Sequence, residues 1–398
     1  MSRLRHFTTL SLARLLALAL LAVACGLPAQ TSSRIKPPLP DPPALEASSY
    51  LLQDFDSGTV LVQHNANEQV EPASITKVMT AYVVFHELES GNLALDDRVT
   101  VSEKAWRKGG SKMFIEVGDQ VSVEDLLRGM IVQSGNDASI ALAEAVAGSE
   151  AAFADVMNGY AEQLGMAGTH FTNATGWPDA QHYTTATDLA RLARAMIQEF
   201  PQRYGYFAEP EFTYGGIRQP NRNRLLFTSS GVDGLKTGHT EAAGYCLLAS
   251  SLSDGMRLLS VVMGTDSEQQ RNEQSLALLA YGQRFYTSIM VQQGGETLGQ
   301  MRIWKGAAET IPMLVDADIH VAIPRSREDE LRMLVRVAEP LLAPVAAGEQ
   351  LGSLQVLLAD EIIAEQPLLA ASSVAQAGLM TRWWHGLRLW SGAGDPEQ

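Results

Sequence analysis

Apolar and polar positions change period several times along the chain, and each change predicts an element. Over residues 49–62 apolar residues alternate around Asp56-Ser57-Gly58, the pattern of a two-stranded hairpin. From Pro72 the period lengthens: Val78, Tyr82, Phe85 and Leu88 recur at helical spacing and stop near Gly91. Ser122 with Asp125, and Thr185 with Asp188, form capping boxes that predict helix starts before Leu126 and Leu189. Another helix begins after Asn136 and runs through Ile140, Leu142 and Val146, leaving Ser134-Gly135-Asn136 as a tight connection between helices. Strand texture follows near Gly234 and over 244–251. A turn at Ser253-Asp254-Gly255 then leads into 258–263, and a helix over 272–288 closes the region.

Strands, helices, then strands and a helix describe an α/β (α+β) body over residues 46–289. From 290 to 371 short alternating strands, with Gly and Pro between them, predict a small all-β domain. The last segment, 372–398, is different. At about 100° per residue, Leu379, Met380, Trp383, Trp384, Leu387 and Trp390 share one arc, with Arg382, His385 and Arg388 opposite and Leu389 misplaced. Such a helix suits a membrane interface, the alternative being packing on the protein's own core or on a partner. At the other end, Arg3, Arg5 and Arg14 lead into an apolar run over 15–23 that is too short to span a membrane. Residues 1–29 therefore read as a signal peptide, cut after Ala24 or Ala29. Cys25 raises lipidation, although Ala22 stands where Leu is usual. Residues 30–45 form a stiff Pro-rich leader.

Composition narrows the function. With 45 acidic against 30 basic residues and a net charge of −15, the chain lacks the basic face that a nucleic-acid partner requires. The same charge argues against broad adhesion to anionic lipid. Of the two cysteines, if Cys25 leaves with the signal no internal disulfide can form; Cys246, inside Tyr245-Cys246-Leu247-Leu248-Ala249, reads as a core residue. His86-Glu87 lacks the second histidine of a zinc peptidase, and no metal or cofactor is expected.

Three strings carry the chemistry: Ser74-Ile75-Thr76-Lys77, Ser134-Gly135-Asn136 and Lys236-Thr237-Gly238. A serine hydroxyl is a weak nucleophile until something takes its proton. Lys77, one helical turn from Ser74, can take it if burial and a second cation lower its pKa, and Lys236 can supply that cation. Ser134 can pass a proton to the leaving group, and the Asn136 amide can hold the substrate backbone or Lys77. Lys236 and Thr237 at a strand edge offer a cation and a hydroxyl to a carboxylate, while Gly238 keeps the edge open for a substrate added as a strand. The N–H groups of Ser74 and His239 are candidates for an oxyanion hole. Ser-x-x-Lys alone is a weak signal. Ser33-Arg34-Ile35-Lys36 repeats it in the leader, where no helix brings the pair together.

Pro72-Ala73 precedes the first string, Asp137-Ala138 follows the second, and His239-Thr240 follows the third. With Phe171-Thr172-Asn173-Ala174-Thr175-Gly176, Gly244-Tyr245 and Met256-Arg257-Leu258, this text resembles the low-molecular-mass penicillin-binding proteins of the D-alanyl-D-alanine carboxypeptidase family. The resemblance implies a serine β-lactamase/transpeptidase-like catalytic domain, an added β domain and a C-terminal membrane anchor. It implies that a peptidoglycan pentapeptide stem acylates Ser74, that the terminal D-alanine leaves, and that water attacks the acyl-enzyme; β-lactams should acylate the same serine. It also implies that Arg271 helps hold the terminal carboxylate, and that the protein sits on the periplasmic face of the inner membrane, peripheral through its C-terminal helix. Three other readings stay open. A class A β-lactamase shares the strings, though 175–188 lacks the Glu-x-x-Leu-Asn order such an enzyme uses. A DD-endopeptidase needs the same chemistry with a wider cleft, and a non-catalytic wall-binding scaffold could keep the fold.

Overall fold

The computed structural model describes residues 38–337 and 339–391. The expected signal peptide, Cys25, the Ser33/Lys36 pair and the tail from 392 lie outside the described residues. A hairpin of β1 (Ser49–Asp54) and β2 (Val60–His64) is followed by a 3-10 turn, Ala73–Thr76, and α1 (Lys77–Glu89). A mostly helical part follows: β3 (Arg98–Thr100), α2 (Glu103–Arg107), β4 (Gln120–Ser122), α3 (Val123–Val132), α4 (Asn136–Ala147), α5 (Glu150–Gln163) and α6 (Ala186–Glu199). After β5 (Glu211–Tyr214), β6 (Ile217–Pro220) and α7 (Leu225–Thr228) the chain returns through β7 (Val232–Thr240), β8 (Gly244–Ser253), β9 (Met256–Thr265) and α8 (Glu268–Phe285).

Five strands form one antiparallel sheet in the order β2-β1-β9-β8-β7, so β7 is an edge. Both sheet faces are covered. Leu51, Cys246, Leu248, Leu259 and Val261 pack into the helical cluster, while Leu52, Leu247, Ala249, Leu258 and Val262 pack with Leu278 and Leu279 of α8. Strands covered on both faces carry near-continuous apolar runs, as over 246–249 of β8 and 258–263 of β9, the latter broken only by the buried Ser260. The same holds for α1: Met79, Ala81, Val83 and Val84 join its expected face in the core. Ser122 and Thr185 cap α3 and α6 by accepting the N–H of Asp125 and Asp188. The helix expected over 272–288 begins earlier and ends earlier. Ser267 caps it by accepting from the Gln270 N–H, and from Tyr286 the chain pairs as strand.

That strand, β10 (Tyr286–Gln292), follows α8 directly and contains position 290. With it, β11 (Thr297–Arg302), β12 (Thr310–Leu314), β13 (Ile319–Pro324), β14 (Leu331–Val337), β15 (Gln350–Leu358) and β16 (Glu361–Ala370) build a β domain. Its sheets run β10-β13 and β11-β12-β16-β15-β14 around a core of its own that includes Ile311, Val321, Leu354 and Leu368. The last element, α9 (Leu379–Trp390), docks by the face opposite its apolar arc. The Lys305 N–H donates to His385 Nδ1 at 2.8 Å, the His385 ring meets Trp304 edge-on, and the misplaced Leu389 is half-buried. Trp383, Trp384 and Trp390 are left 69%, 57% and 87% exposed, so the apolar arc is not packed on the protein's own core. Among the described residues no helix is long and apolar enough to cross a membrane.

Candidate active site

Ser74 lies in the 3-10 turn, half-buried, with Ala73 before it held at φ +47. The turn rests against the edge strand. A Cβ on Gly238 would stand 3.0 Å from the Pro72 carbonyl oxygen and 3.1 Å from Ala73 Cβ. Gly238 therefore lets β7 approach the nucleophile's turn, a tighter demand than the open strand edge expected of it.

Lys77, the first residue of α1, is buried, with Nζ 2.9 Å from Ser74 Oγ and donating to the Thr175 carbonyl at 2.6 Å. Burial pushes its pKa well below the ordinary lysine value, and the Lys236 and Lys108 cations push it further in the same direction. Lys236 is buried too, its Nζ donating to the Thr237 carbonyl at 3.0 Å. Burial, then the Arg222 and Arg271 guanidiniums, lowers it to about 7. Ser134 sits at φ +66 with its Oγ buried and unpartnered. Asn136 Nδ2 donates to the Gly109 carbonyl at 2.7 Å, so the amide nitrogen anchors a loop. Its Oδ1 is buried and unpartnered. Asp137 ties down the same loop, its carboxylate accepting from the N–H groups of Met113 and Phe114.

A second loop, around 172–182, was not singled out for any catalytic part. Asn173 Oδ1 accepts from the N–H groups of Thr175, Gly176 and Trp177, which makes this residue a turn nucleus. Gly176, at φ +79, packs so closely that a Cβ would fall 1.7 Å from the Ala73 oxygen. Thr80 Oγ1 donates to the Ala174 carbonyl at 2.8 Å. His182 completes the clamp. Its Nδ1 accepts from the Thr172 N–H at 3.0 Å, so Nε2 carries the proton and donates to Thr76 Oγ1 at 2.8 Å. Burial lowers its pKa to about 4, which keeps the ring neutral. Nothing in the local sequence marks His182, because its partners lie 10 and 106 positions away.

Two cavities meet at Ser74 and His239. One, of about 220 Å³, is lined also by Ser134, Thr237, Gly238, Arg222 and Arg271. The other, of about 630 Å³, is lined by Asn136, Thr175, Trp177, Pro178 and Glu241 among others. Arg271 is buried, ion-paired to Glu268 at 3.1 Å and set over the Tyr245 ring. Arg222 escaped the sequence reading because Asn221-Arg222-Asn223 looks like any polar loop; both asparagines are in fact buried. Between Thr175 and Asp188 the carboxylates are Asp179 and Asp188, and neither lines either of these two cavities. Asp188 instead accepts from the Gly168 N–H and Thr169 Oγ1.

A Ser–Lys pair, a second serine and a lysine on an edge strand now stand together, and the family comparison agrees with them. Residues 36–267 match the D-alanyl-D-alanine carboxypeptidase family and 286–376 match the C-terminal domain of penicillin-binding protein 5. The chain belongs to the D-alanyl-D-alanine carboxypeptidase family. It is 41% identical over 350 residues to the D-alanyl-D-alanine carboxypeptidase DacC of Escherichia coli, a match covering 86% of this chain and 88% of the relative. The carboxypeptidase DacA of Haemophilus influenzae is 37% identical, over 87% of this chain and 90% of its own. Among solved structures, penicillin-binding protein 5 from Haemophilus influenzae superimposes with a TM-score of 0.82 at 37% identity, covering 85% of this chain and all of that one. Penicillin-binding protein D2 from Listeria monocytogenes, in its ampicillin-bound form, matches with a TM-score of 0.56 at 29% identity, over 61% of this chain and 99% of its own. The enzyme class is accordingly that of the serine penicillin-binding carboxypeptidases.

Proposed function

We propose that this carboxypeptidase removes the terminal D-alanine from peptidoglycan pentapeptide stems through an acyl-enzyme on Ser74. The observation that carries the assignment is the 2.9 Å separation of Ser74 Oγ from a buried Lys77 Nζ whose proton affinity is depressed. Ser74 attacks the carbonyl between the two D-alanines while Lys77 takes its proton. The N–H groups of Ser74 and His239 hold the oxyanion. Ser134 then delivers the proton to the departing nitrogen, the C–N bond breaks and free D-alanine leaves. Water, losing its proton to the same lysine, hydrolyses the ester and restores Ser74. The leaving carboxylate fits the smaller cavity, where Thr237, Arg222 and Arg271 converge and the Lys236 charge stands behind them. The stem peptide fits the larger one, along Asn136 and Trp177. A β-lactam presents its ring carbonyl to the same serine.

Export to the periplasmic face of the inner membrane, with peripheral attachment through α9, is supported by the arginine-led apolar N-terminus and the free tryptophan face. The decisive assay offers the purified protein and Ser74→Ala a stem-peptide mimic ending in D-Ala-D-Ala, and a penicillin followed by intact mass. Wild type should release D-alanine and gain one penicillin mass, and the variant should do neither. Equal release by the variant would overturn the assignment to Ser74, and fast turnover of free penicillin would favour the β-lactamase reading.

A further inference from the structure

The active site leaves unused a cavity of about 580 Å³ where α9 meets the β domain, lined by Lys305, Gln376, Leu379, Arg382 and Trp383. It opens between the docked face of α9 and its free apolar face, since Arg382 belongs to the first and Leu379 and Trp383 to the second. Its two charged walls are both cationic. Among the described residues neither Lys305 nor Arg382 has a carboxylate within 4.0 Å; Arg382 Nη1 instead donates to Gln376 Oε1 at 2.6 Å. The cavity's own lining carries no aspartate or glutamate, and the flanking Glu296 and Glu309 are not part of it. In a protein of net charge −15 a cavity walled by two cations and no acid is a local reversal of sign. Lys305 is held in place at φ +59 because its N–H serves His385 and its carbonyl accepts the Ala377 N–H.

We propose that this cavity binds the phosphate of an anionic phospholipid headgroup, with Lys305 and Arg382 on its oxygens and the acyl chains passing along Leu379 and Trp383. The inference rests on the proposed membrane attachment of α9 and adds lipid selectivity to it. An anionic headgroup is favoured over a zwitterionic one because the walls offer two cations and no anion to meet a choline or ethanolamine. The overall negative charge repels an anionic surface at long range, so attraction must come from contact within this one site and not from a diffuse field.

The test uses the full chain and its Lys305→Gln/Arg382→Gln variant in co-sedimentation with phosphatidylcholine vesicles and with vesicles of phosphatidylcholine and phosphatidylglycerol in equal parts. Wild type should bind the mixed vesicles at least fivefold more tightly, and the variant should lose that preference while keeping its affinity for pure phosphatidylcholine. D-alanine release from a soluble stem mimic should stay unchanged in the variant, which also reports that it is folded. Wild type that binds neither vesicle would refute the membrane attachment itself. Equal binding of both vesicles, or a preference that survives in the variant, would overturn the headgroup site and leave the attachment standing. Saturable binding of inorganic phosphate to wild type but not to the variant, in a calorimetric titration, with no preference between the two vesicles, would mark the cavity as a free-phosphate site and overturn the lipid assignment.

Discussion

Burial does to the two lysines of this site what water would prevent. Lys77 must be neutral to accept a proton, and it lies under a positive field from Lys236 and Lys108 after losing its hydration. Lys108→Gln removes one of those cations without touching Ser74. The Lys77 pKa should then rise, so the acid limb of kcat/KM for acylation should move to higher pH; a pH profile with a chromogenic β-lactam reads it. Lys236 shows the cost of such placement. Its folded pKa of about 7 lies below the ordinary value of 10.5, so between those values the unfolded chain binds the extra proton and stability rises with pH. Below pH 7 the penalty is present in full. Lys236→Met should therefore be more stable than wild type at pH 6, by roughly 2–4 kcal/mol, with the gap narrowing toward pH 10 as measured by thermal unfolding. It should lose most of its activity.

At the scale of elements, the nucleophile's turn is clamped from two sides. Strand β7 presses on it through Gly238, and the loop around 172–182 presses through Gly176 and His182. The loop also presents the Thr175 carbonyl that orients Lys77. His182→Ala removes the donor to Thr76 and strands the Thr172 N–H, which should cost about 1–3 kcal/mol. Misplacing Lys77 should slow acylation by roughly 10- to 100-fold, chiefly in kcat. Gln at this position can both accept from Thr172 and donate to Thr76. Recovery by His182→Gln, with Ala inactive and equally soluble, would show positioning; no difference between the two would refute it.

On the whole-molecule scale the catalytic body and the β domain keep separate cores, and α9 lines neither active-site cavity. Attachment and chemistry should therefore separate. Ending the chain before Leu379 should move the protein from the membrane to the soluble fraction on cell fractionation, with D-alanine release from a soluble mimic within about twofold of wild type. A truncated protein that stays with the membrane would contradict attachment through α9.

Ser74, Lys77, Ser134 and Lys236 stood out in the sequence because each lies in a short string confined to one helical turn, one tight connection between helices or one strand. The capping boxes at Ser122 and Thr185 were legible for the same reason, since a cap acts within three residues. Sequence alone also determined the amphipathic arc of α9, which needs only the helical period. What it could not give were effects that depend on distant neighbours. The fit of Gly238 depends on how close Pro72 comes, the bond of Asn136 on the carbonyl of Gly109, and the placement of Arg222 and His182 on cavities and loops assembled from far along the chain. Which face of α9 meets the β domain was likewise decided only in three dimensions, when His385 found the Lys305 N–H and left the tryptophans free. Local spacing wrote the Ser74–Lys77 pair into the sequence; packing across long separations set its burial and its neighbours.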